Sequence, residues 1–196
     1  MTVATAKLTF EEYLKYDDGS DTRYELVDGE LIPVSLGTGQ HGDIIWFVAR
    51  QIEKQIERSN LNWIVRPAVI GVQSPRGRAW DTSRIPDVTV LPLEQWQSMA
   101  DREAIVRLNE PPPLLVVEVV SPSTKADDYR SKKSEYSLLE IPEYWIVDPI
   151  EEKVTVCSLE NQFYDTTEFK GEERVQSQTF PEFSLTVAQL VQCRTA

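Results

Sequence analysis

The fold of this 196-residue chain is decided by the stretch Leu114-Leu-Val-Val-Glu-Val-Val120, in which one acid, Glu118, interrupts an apolar run. Short apolar runs rich in valine are typical of interior strands. A second run, Asp87-Val-Thr-Val-Leu91, follows Pro86 and opens on another acid. Burying a carboxylate costs free energy unless a cation or a hydrogen-bond donor answers it. The two acids therefore indicate either a metal-dependent hydrolytic site or, as is commoner for such runs alone, exposed strand ends paired with arginines.

The order of the middle elements predicts a mixed sheet flanked by helices. From Gln40 to Arg58 the apolar residues recur at three- and four-residue spacing, which predicts a helix. The pattern then predicts a strand over Asn62 to Gln73, a polar loop over Ser74 to Arg84, the two acid-bearing strands, a helix over about Asp127 to Leu139 and a strand over Glu143 to Val147. Helix, three strands, helix and strand give an α/β (α+β) fold.

Peripheral elements are predicted at both ends of the chain. Thr9 is a good helix N-cap, and Asp28-Gly29 is a strong type I′ turn signal for a hairpin. A second hairpin over 153–169 and a short helix over Thr186 to Val191 close the chain. We expect one domain over 1–196, with a core of about 40–148 and peripheral segments 1–36 and 150–196.

The charge and composition of the chain limit the kinds of partner that it could bind. The net charge of −12 opposes a nucleic-acid surface, but residues 10–30 and 148–182 contribute −6 each, and the remainder is neutral on balance. Its bases crowd near the two acids, at Arg76, Arg78 and Arg84 and again at Lys125, Arg130, Lys132 and Lys133. Two cysteines without metal-ligand spacing, no signal peptide and no membrane-spanning run predict a cytoplasmic protein without membrane contact.

A lysine is expected beside the two acids. Asp128, Lys132 and Tyr136 are spaced by four residues and share one face of their predicted helix. That helix follows Glu118 closely, so its face can fold over the strand end and bring Lys132 near Asp87 and Glu118. The alternative for Lys132 is a simple ion pair with Asp128, and for Tyr136 simple packing. Lys133 is a competing lysine that spacing alone does not exclude.

The chain also resembles a known group of proteins. Pro86-Asp87 followed after about thirty residues by Glu118-Val119-Val120 is similar to the PD-(D/E)xK nuclease superfamily. The finer resemblance is to the Uma-two family of restriction-endonuclease-like proteins. Its matching stretches are Tyr24-Glu-Leu-Val-Asp-Gly-Glu30, His41, Pro86-Asp-Val88, Glu118-Val-Val-Ser-Pro-Ser123 with Asp128 and Lys132, and Ile141-Pro-Glu-Tyr-Trp-Ile-Val-Asp148.

The resemblance implies a restriction-endonuclease-like αβββαβ core and a nuclease site. The superfamily lysine normally stands two residues after the glutamate, where this chain has Val120. In the resembling family the lysine lies on the following helix, which favours Lys132 over Lys133. Glu25 is expected by resemblance to extend the acidic cluster. His41 is expected either to contact phosphate or water or to bond locally at its helix start.

The expected function is hydrolysis of phosphodiester bonds in DNA, with RNA or a structured nucleic acid as the alternative substrate. Mg²⁺ or Mn²⁺ is expected on Asp87 and Glu118, with the Val119 carbonyl as a further ligand, because Mg²⁺ prefers oxygen ligands. Lys132 would orient the attacking water. Cutting both strands of a duplex favours a homodimer. The alternative is an inactive nuclease-fold module that binds nucleic acid or protein, which the acidity of the chain favours.

Overall fold

The computed structural model of the chain describes residues 7–76 and 80–193. Its helices are α1 (Phe10–Leu14), α2 (Gly39–Arg58), α3 (Leu93–Gln97), α4 (Lys133–Leu138) and α5 (Val187–Val191). A π-helical segment over Asp127–Lys132 leads directly into α4. The strands are β1 (Tyr24–Val27), β2 (Glu30–Pro33), β3 (Trp63–Pro67), β4 (Gly71–Arg76), β5 (Trp80–Arg84), β6 (Val88–Pro92), β7 (Ile105–Val106), β8 (Leu115–Val119), β9 (Glu143–Asp148), β10 (Lys153–Glu160) and β11 (Phe163–Lys170).

A six-stranded mixed sheet forms the centre of the molecule, in the order β11-β10-β9-β8-β6-β3. Its only parallel pair among the described residues is β8 with β9, and these strands are joined through the π-helical segment and α4. Taken with α2, the elements β3, β6, β8, α4 and β9 reproduce the predicted αβββαβ order. The predicted mixed α+β class with helices on both sides of a central sheet is confirmed.

Alternation along β8 decides which way Glu118 points. Val117 and Val119 pack in the cluster that includes Ile44, Val48 and Ile52 of α2. Val116 and Val120 belong to the opposite cluster, which includes Tyr136 of α4. Successive strand residues point to opposite faces, so Glu118 lies on the face that the π-helical segment and α4 cover.

A second mixed sheet, in the order β2-β1-β5-β4-β7, corrects two sequence predictions. The strand predicted over Asn62 to Gln73 is two strands in different sheets, because the chain turns at Ala68, whose φ is 47°. The polar loop predicted over Ser74 to Arg84 is the β4–β5 hairpin, paired from Val72↔Arg84 outward. Backbone pairing stabilises this hairpin even though most of its buried side chains, such as Ser74 and Thr82, are polar; Arg78 lies outside the described residues.

The peripheral elements follow their local signals. Thr9 caps α1 in a reciprocal capping box with Glu12, as predicted. Asp28 and Gly29 both have positive φ, 50° and 78°, which is the type I′ geometry expected of the β1–β2 turn. The C-terminal hairpin extends the central sheet through the pairing of β10 with β9. Within the described ranges, no helix combines the length and apolarity needed to cross a membrane.

Candidate functional site

Strand pairing brings the two acids together. The antiparallel register Val88↔Val117 places Asp87, at the start of β6, beside Glu118 of β8. The backbone N–H of Val119 donates a 2.7 Å hydrogen bond to Asp87 Oδ2, which fixes the Asp87 side chain against β8. Glu118 is buried, with a side chain only 4% exposed, whereas the side chains of Asp87 and His41 are 18% and 20% exposed. The site therefore opens toward solvent on the Asp87 and His41 side.

Three residues of the following helix converge on Glu118. Lys132 Nζ lies 2.8 Å from Glu118 Oε2 and 2.9 Å from Asp128 Oδ1. The Tyr136 hydroxyl donates a 2.8 Å hydrogen bond to Glu118 Oε1. The structure thus places Lys132 inside the site, while Lys133 is partly exposed. The predicted helical face is present, although its first half is π-helical, a geometry frequent at functional sites.

Burial and crowding of negative charge shift the acid equilibria of this cluster. The pKa of the Glu118 carboxyl is raised to about 8, mainly by burial and also by the nearby Asp87 and Asp128, while Lys132 acts to lower it. Burial also raises the pKa of Asp87, against the opposing effects of the Val119 N–H and His41. Burial acts to lower the pKa of Lys132, because it disfavours the charged form. The negative charges of Glu118 and Asp128 outweigh burial, so the pKa of Lys132 is raised. One ammonium thus lies among three acids, of which Glu118 and Asp128 are buried and Asp87 is partly exposed, and the site favours added positive charge.

His41 forms a hydrogen bond with the backbone carbonyl of Val119, the carbonyl predicted as a metal ligand. It lies in the first turn of α2, and its Nε2 lies 2.9 Å from the Val119 carbonyl oxygen, which can only accept. The same nitrogen is 3.6 Å from Asp87 Oδ2. His41 therefore contacts the site itself, and its ring is oriented by β8 as well as by its own helix.

Glu25 lies near the cluster but is held by other partners. Its Oε2 accepts from Arg84 Nη1 at 3.1 Å, and its Oε1 accepts from the Ile85 N–H at 2.9 Å. Arg84 in turn forms a bidentate pair with Glu135 of α4. Sequence reasoning missed Arg84 and Glu135, because no local pattern marks an arginine in a polar stretch as buried.

The residues present fit a hard divalent cation. Among residues 7–76 and 80–193, no group of three or more His, Cys, Asp or Glu side chains is arranged to hold a metal ion. Mg²⁺, however, usually takes one or two carboxylates and completes its shell with waters and substrate oxygens. Asp87 and Glu118 supply two carboxylates. Asp128 adds a third carboxylate, which is buried and whose Oδ1 lies 2.9 Å from Lys132 Nζ.

Comparisons with known proteins identify the fold and the family of the chain. A crystal structure described as a "putative nuclease belonging to DUF820" from Anabaena variabilis superposes with a TM-score of 0.75 at 18% identity, covering 94% of this chain and 98% of that chain. An uncharacterized protein of Synechocystis sp. is 25% identical over 150 residues, 76% of this chain and 79% of that protein. The Uma2 (Uma-two) family model, described as "Putative restriction endonuclease", matches residues 10–188. Since this match spans most of the chain, the protein belongs to the Uma2 family of restriction-endonuclease-like proteins.

Proposed function

We propose that the protein is a metal-dependent nuclease that hydrolyses phosphodiester bonds in DNA. The observation that carries this proposal is the convergence of Asp87, Glu118 and Lys132 from three neighbouring elements into one cluster, which is partly exposed at Asp87. Family membership and the nuclease-like fold support the reaction class. The metal and the role of each residue are inferred from the chemistry of the side chains, and the DNA substrate from the description of the family.

Asp87, Glu118 and the Val119 carbonyl are the proposed ligands of Mg²⁺ or Mn²⁺. When bound, such an ion polarises the scissile phosphate and lowers the pKa of the attacking water. The Val119 carbonyl is now the acceptor of His41, so cation binding requires His41 to share or release it. Lys132 would hold the attacking water and offset negative charge on the phosphate. His41, at the opening of the site, is placed to contact a phosphate oxygen.

A second candidate function is a non-catalytic module that binds nucleic acid or protein. Two observations favour it: the net charge of −12 and the ammonium of Lys132, which already bridges Glu118 and Asp128 without any metal. In that case the lysine would act as the permanent counter-ion of the acidic pocket. Such a protein would bind its partner equally in EDTA and in Mg²⁺.

A cleavage screen on single- and double-stranded DNA and RNA, with Mg²⁺, Mn²⁺ or EDTA, tests the proposal. We expect double-stranded DNA to be cut in either metal and left intact in EDTA. Lys132→Met should lower the rate by about 100-fold or more, as loss of a general acid–base or water-orienting group does. Lys133→Met is the matched control on the same helix, and it should keep the parent rate. Far-ultraviolet circular dichroism of both variants checks that they are folded before their rates are compared.

Two results would contradict parts of this proposal, the first the nuclease activity itself and the second only the role of Lys132. One is intact substrate under every metal condition, together with metal-independent binding of the same DNA, which is the behaviour of the inactive module. The other is equal cleavage by folded Lys132→Met and parent protein, which would remove Lys132 from the reaction.

A further inference from the structure

A buried ionic bridge lies beside the proposed site and connects two of its elements. Arg84 is only 2% exposed. Its Nε and Nη2 donate to the two oxygens of Glu135 at 2.8 and 3.0 Å, and its Nη1 donates to Glu25 at 3.1 Å. A planar guanidinium that binds two carboxylates in this way fixes their relative orientation as well as their separation.

One end of the bridge is continuous with Asp87. Arg84 and Ile85 run directly into Pro86-Asp87, and Glu25 accepts a hydrogen bond from the Ile85 N–H as well as from Arg84. Glu25 therefore holds this segment by two hydrogen bonds, at Arg84 and Ile85, just before Asp87. Because each Glu25 oxygen accepts one of these bonds, its carboxylate is turned toward the backbone of the segment and the guanidinium.

The other end of the bridge is on the lysine helix. Glu135 is 3% exposed and lies three residues after Lys132, one helical turn along. Movement of α4 relative to the Asp87 segment would break the bidentate contact between Arg84 and Glu135. The bridge thus joins the proposed metal ligand and the proposed water-orienting residue through one rigid contact.

Resting on the proposed function, we propose that Glu25, Arg84 and Glu135 are positioning residues that hold Asp87 and Lys132 in register. This assignment gives Glu25 a role different from a member of the metal cluster. A buried ion triad is often no more stabilising than apolar residues of the same volume, so geometry is the better reason for its presence. Small displacements of reacting groups are costly in catalysis, which makes such a brace useful.

Amide hydrogen exchange measured by NMR tests the bridge without any metal. The Val119 N–H donates to Asp87 Oδ2, so its exchange rate reports the position of Asp87. The Val156 amide of β10, in the same sheet but remote from the bridge, reports global opening. In Arg84→Lys, which cannot make the bidentate contact, we expect the Val119-to-Val156 rate ratio to rise by about tenfold or more. Glu25→Gln, which keeps an acceptor for Ile85, should raise it less.

A matched control variant is Asp28→Asn, which removes the Lys7–Asp28 contact in the β1–β2 hairpin without touching the bridge. It should leave the rate ratio unchanged. Mn²⁺ affinity, measured by electron paramagnetic resonance, should weaken in Arg84→Lys and stay at the parent value in Asp28→Asn. A global loss of stability without a positioning role would accelerate both amides together.

The outcomes separate the two proposals. An unchanged rate ratio in both Arg84→Lys and Glu25→Gln would contradict the positioning role of the bridge. If Arg84→Lys fails to fold, the ratio in Glu25→Gln alone decides. A raised ratio supports the bridge whether or not metal binds. Absence of Mn²⁺ binding by the parent protein would instead count against the proposed nuclease site, while the amide ratio still reports on the bridge.

Discussion

Glu118 is the residue on which the site depends. It lies in the most buried strand pair of the central sheet, with Lys132 at one oxygen and the Tyr136 hydroxyl at the other. A carboxyl in such a place binds its proton tightly, because burial disfavours the ionised form. Its pKa is therefore raised to about 8, well above the ordinary value of 4.5.

This shift predicts proton release when a cation binds. The metal-free folded protein keeps a proton on Glu118 that the unfolded chain loses above pH 4.5, so the stability that this proton contributes is full below pH 4.5 and falls as pH rises from there to about 8. A cation must displace this proton, and its apparent affinity should therefore rise over the same interval. Titration calorimetry with Mn²⁺ at neutral pH, in two buffers of different ionisation enthalpy, measures the release.

We expect the two buffers to give different heats for the parent protein and equal heats for Glu118→Gln, which has no proton to lose. Equal heats for the parent, together with clear Mn²⁺ binding, would show that Glu118 is already ionised or does not bind the cation.

At the scale of the elements, Glu143 explains part of the stretch Ile141-Pro-Glu-Tyr-Trp. Its carboxylate is fully buried in β9, where one oxygen accepts from the indole N–H of Trp145. The other oxygen accepts from the backbone N–H groups of Gln178 and Thr179, both at 2.8 Å. Glu143 thus anchors the segment that follows β11 to the central sheet, and its role is structural.

Glu143→Ala should therefore destabilise the fold without touching the site. Leaving buried donors unsatisfied costs about 1 to 3 kcal/mol for a group, and we expect a loss of about 2 to 4 kcal/mol in the free energy of unfolding. Urea unfolding followed by tryptophan fluorescence measures it. Glu53→Ala, which removes an exposed pair with Arg50, is the control and should change stability by less than about 0.5 kcal/mol. A loss no greater than that of the control would contradict the anchoring role.

Elements with local signals could be predicted from the sequence. The Asp28-Gly29 turn, the Thr9 cap and the apolar spacing of α2 each depend on neighbours along the chain. The break between β3 and β4 was missed although Pro67, directly before Ala68, is a signal for a strand boundary, because the apolar residues on both sides favoured one continuous strand. The β4–β5 hairpin was missed because its buried side chains, such as Ser74 and Thr82, are polar and take their place from the second sheet.

The site residues also fall into two groups: those that the sequence predicts and those that only the folded chain brings together. Glu118 and Asp87 are visible as acids in apolar runs, and helical spacing with the family resemblance selects Lys132. Arg84 and Glu135 are 51 residues apart in sequence, and their pairing exists only once the second sheet packs near α4. Tyr136 was on the predicted helical face, but spacing could not distinguish a donor to Glu118 from a packing residue.

At the scale of the whole molecule, we predict a two-fold dimer. On the proposed function, cutting both strands of a duplex is simplest with two related sites, and closed two-fold pairs are the commonest assemblies. Both peripheral segments offer exposed apolar residues, such as Leu36, which is fully exposed, and Phe163, which is 75% exposed. Light scattering at micromolar concentration and physiological salt should give twice the chain mass of 22.4 kDa.

Two variants locate the contact. Leu36→Ser or Phe163→Ser should shift the mass toward 22.4 kDa, according to which segment supplies the interface. A mass of one chain for the parent protein under these conditions would contradict the dimer.

The central claim is that Asp87 and Glu118 form a cation site, and melting curves of the parent protein and Asp87→Asn test it most directly. The curves are recorded above about pH 8, where Glu118 is ionised and its charge repels that of Asp87; functional sites keep such arrangements at a cost in stability. In EDTA, Asp87→Asn should melt at the parent temperature or slightly above it; Mn²⁺ should raise the melting temperature of the parent alone. Marked destabilisation of Asp87→Asn in EDTA, with no Mn²⁺-induced shift in the parent, would contradict the cation site and leave Asp87 as a structural acid.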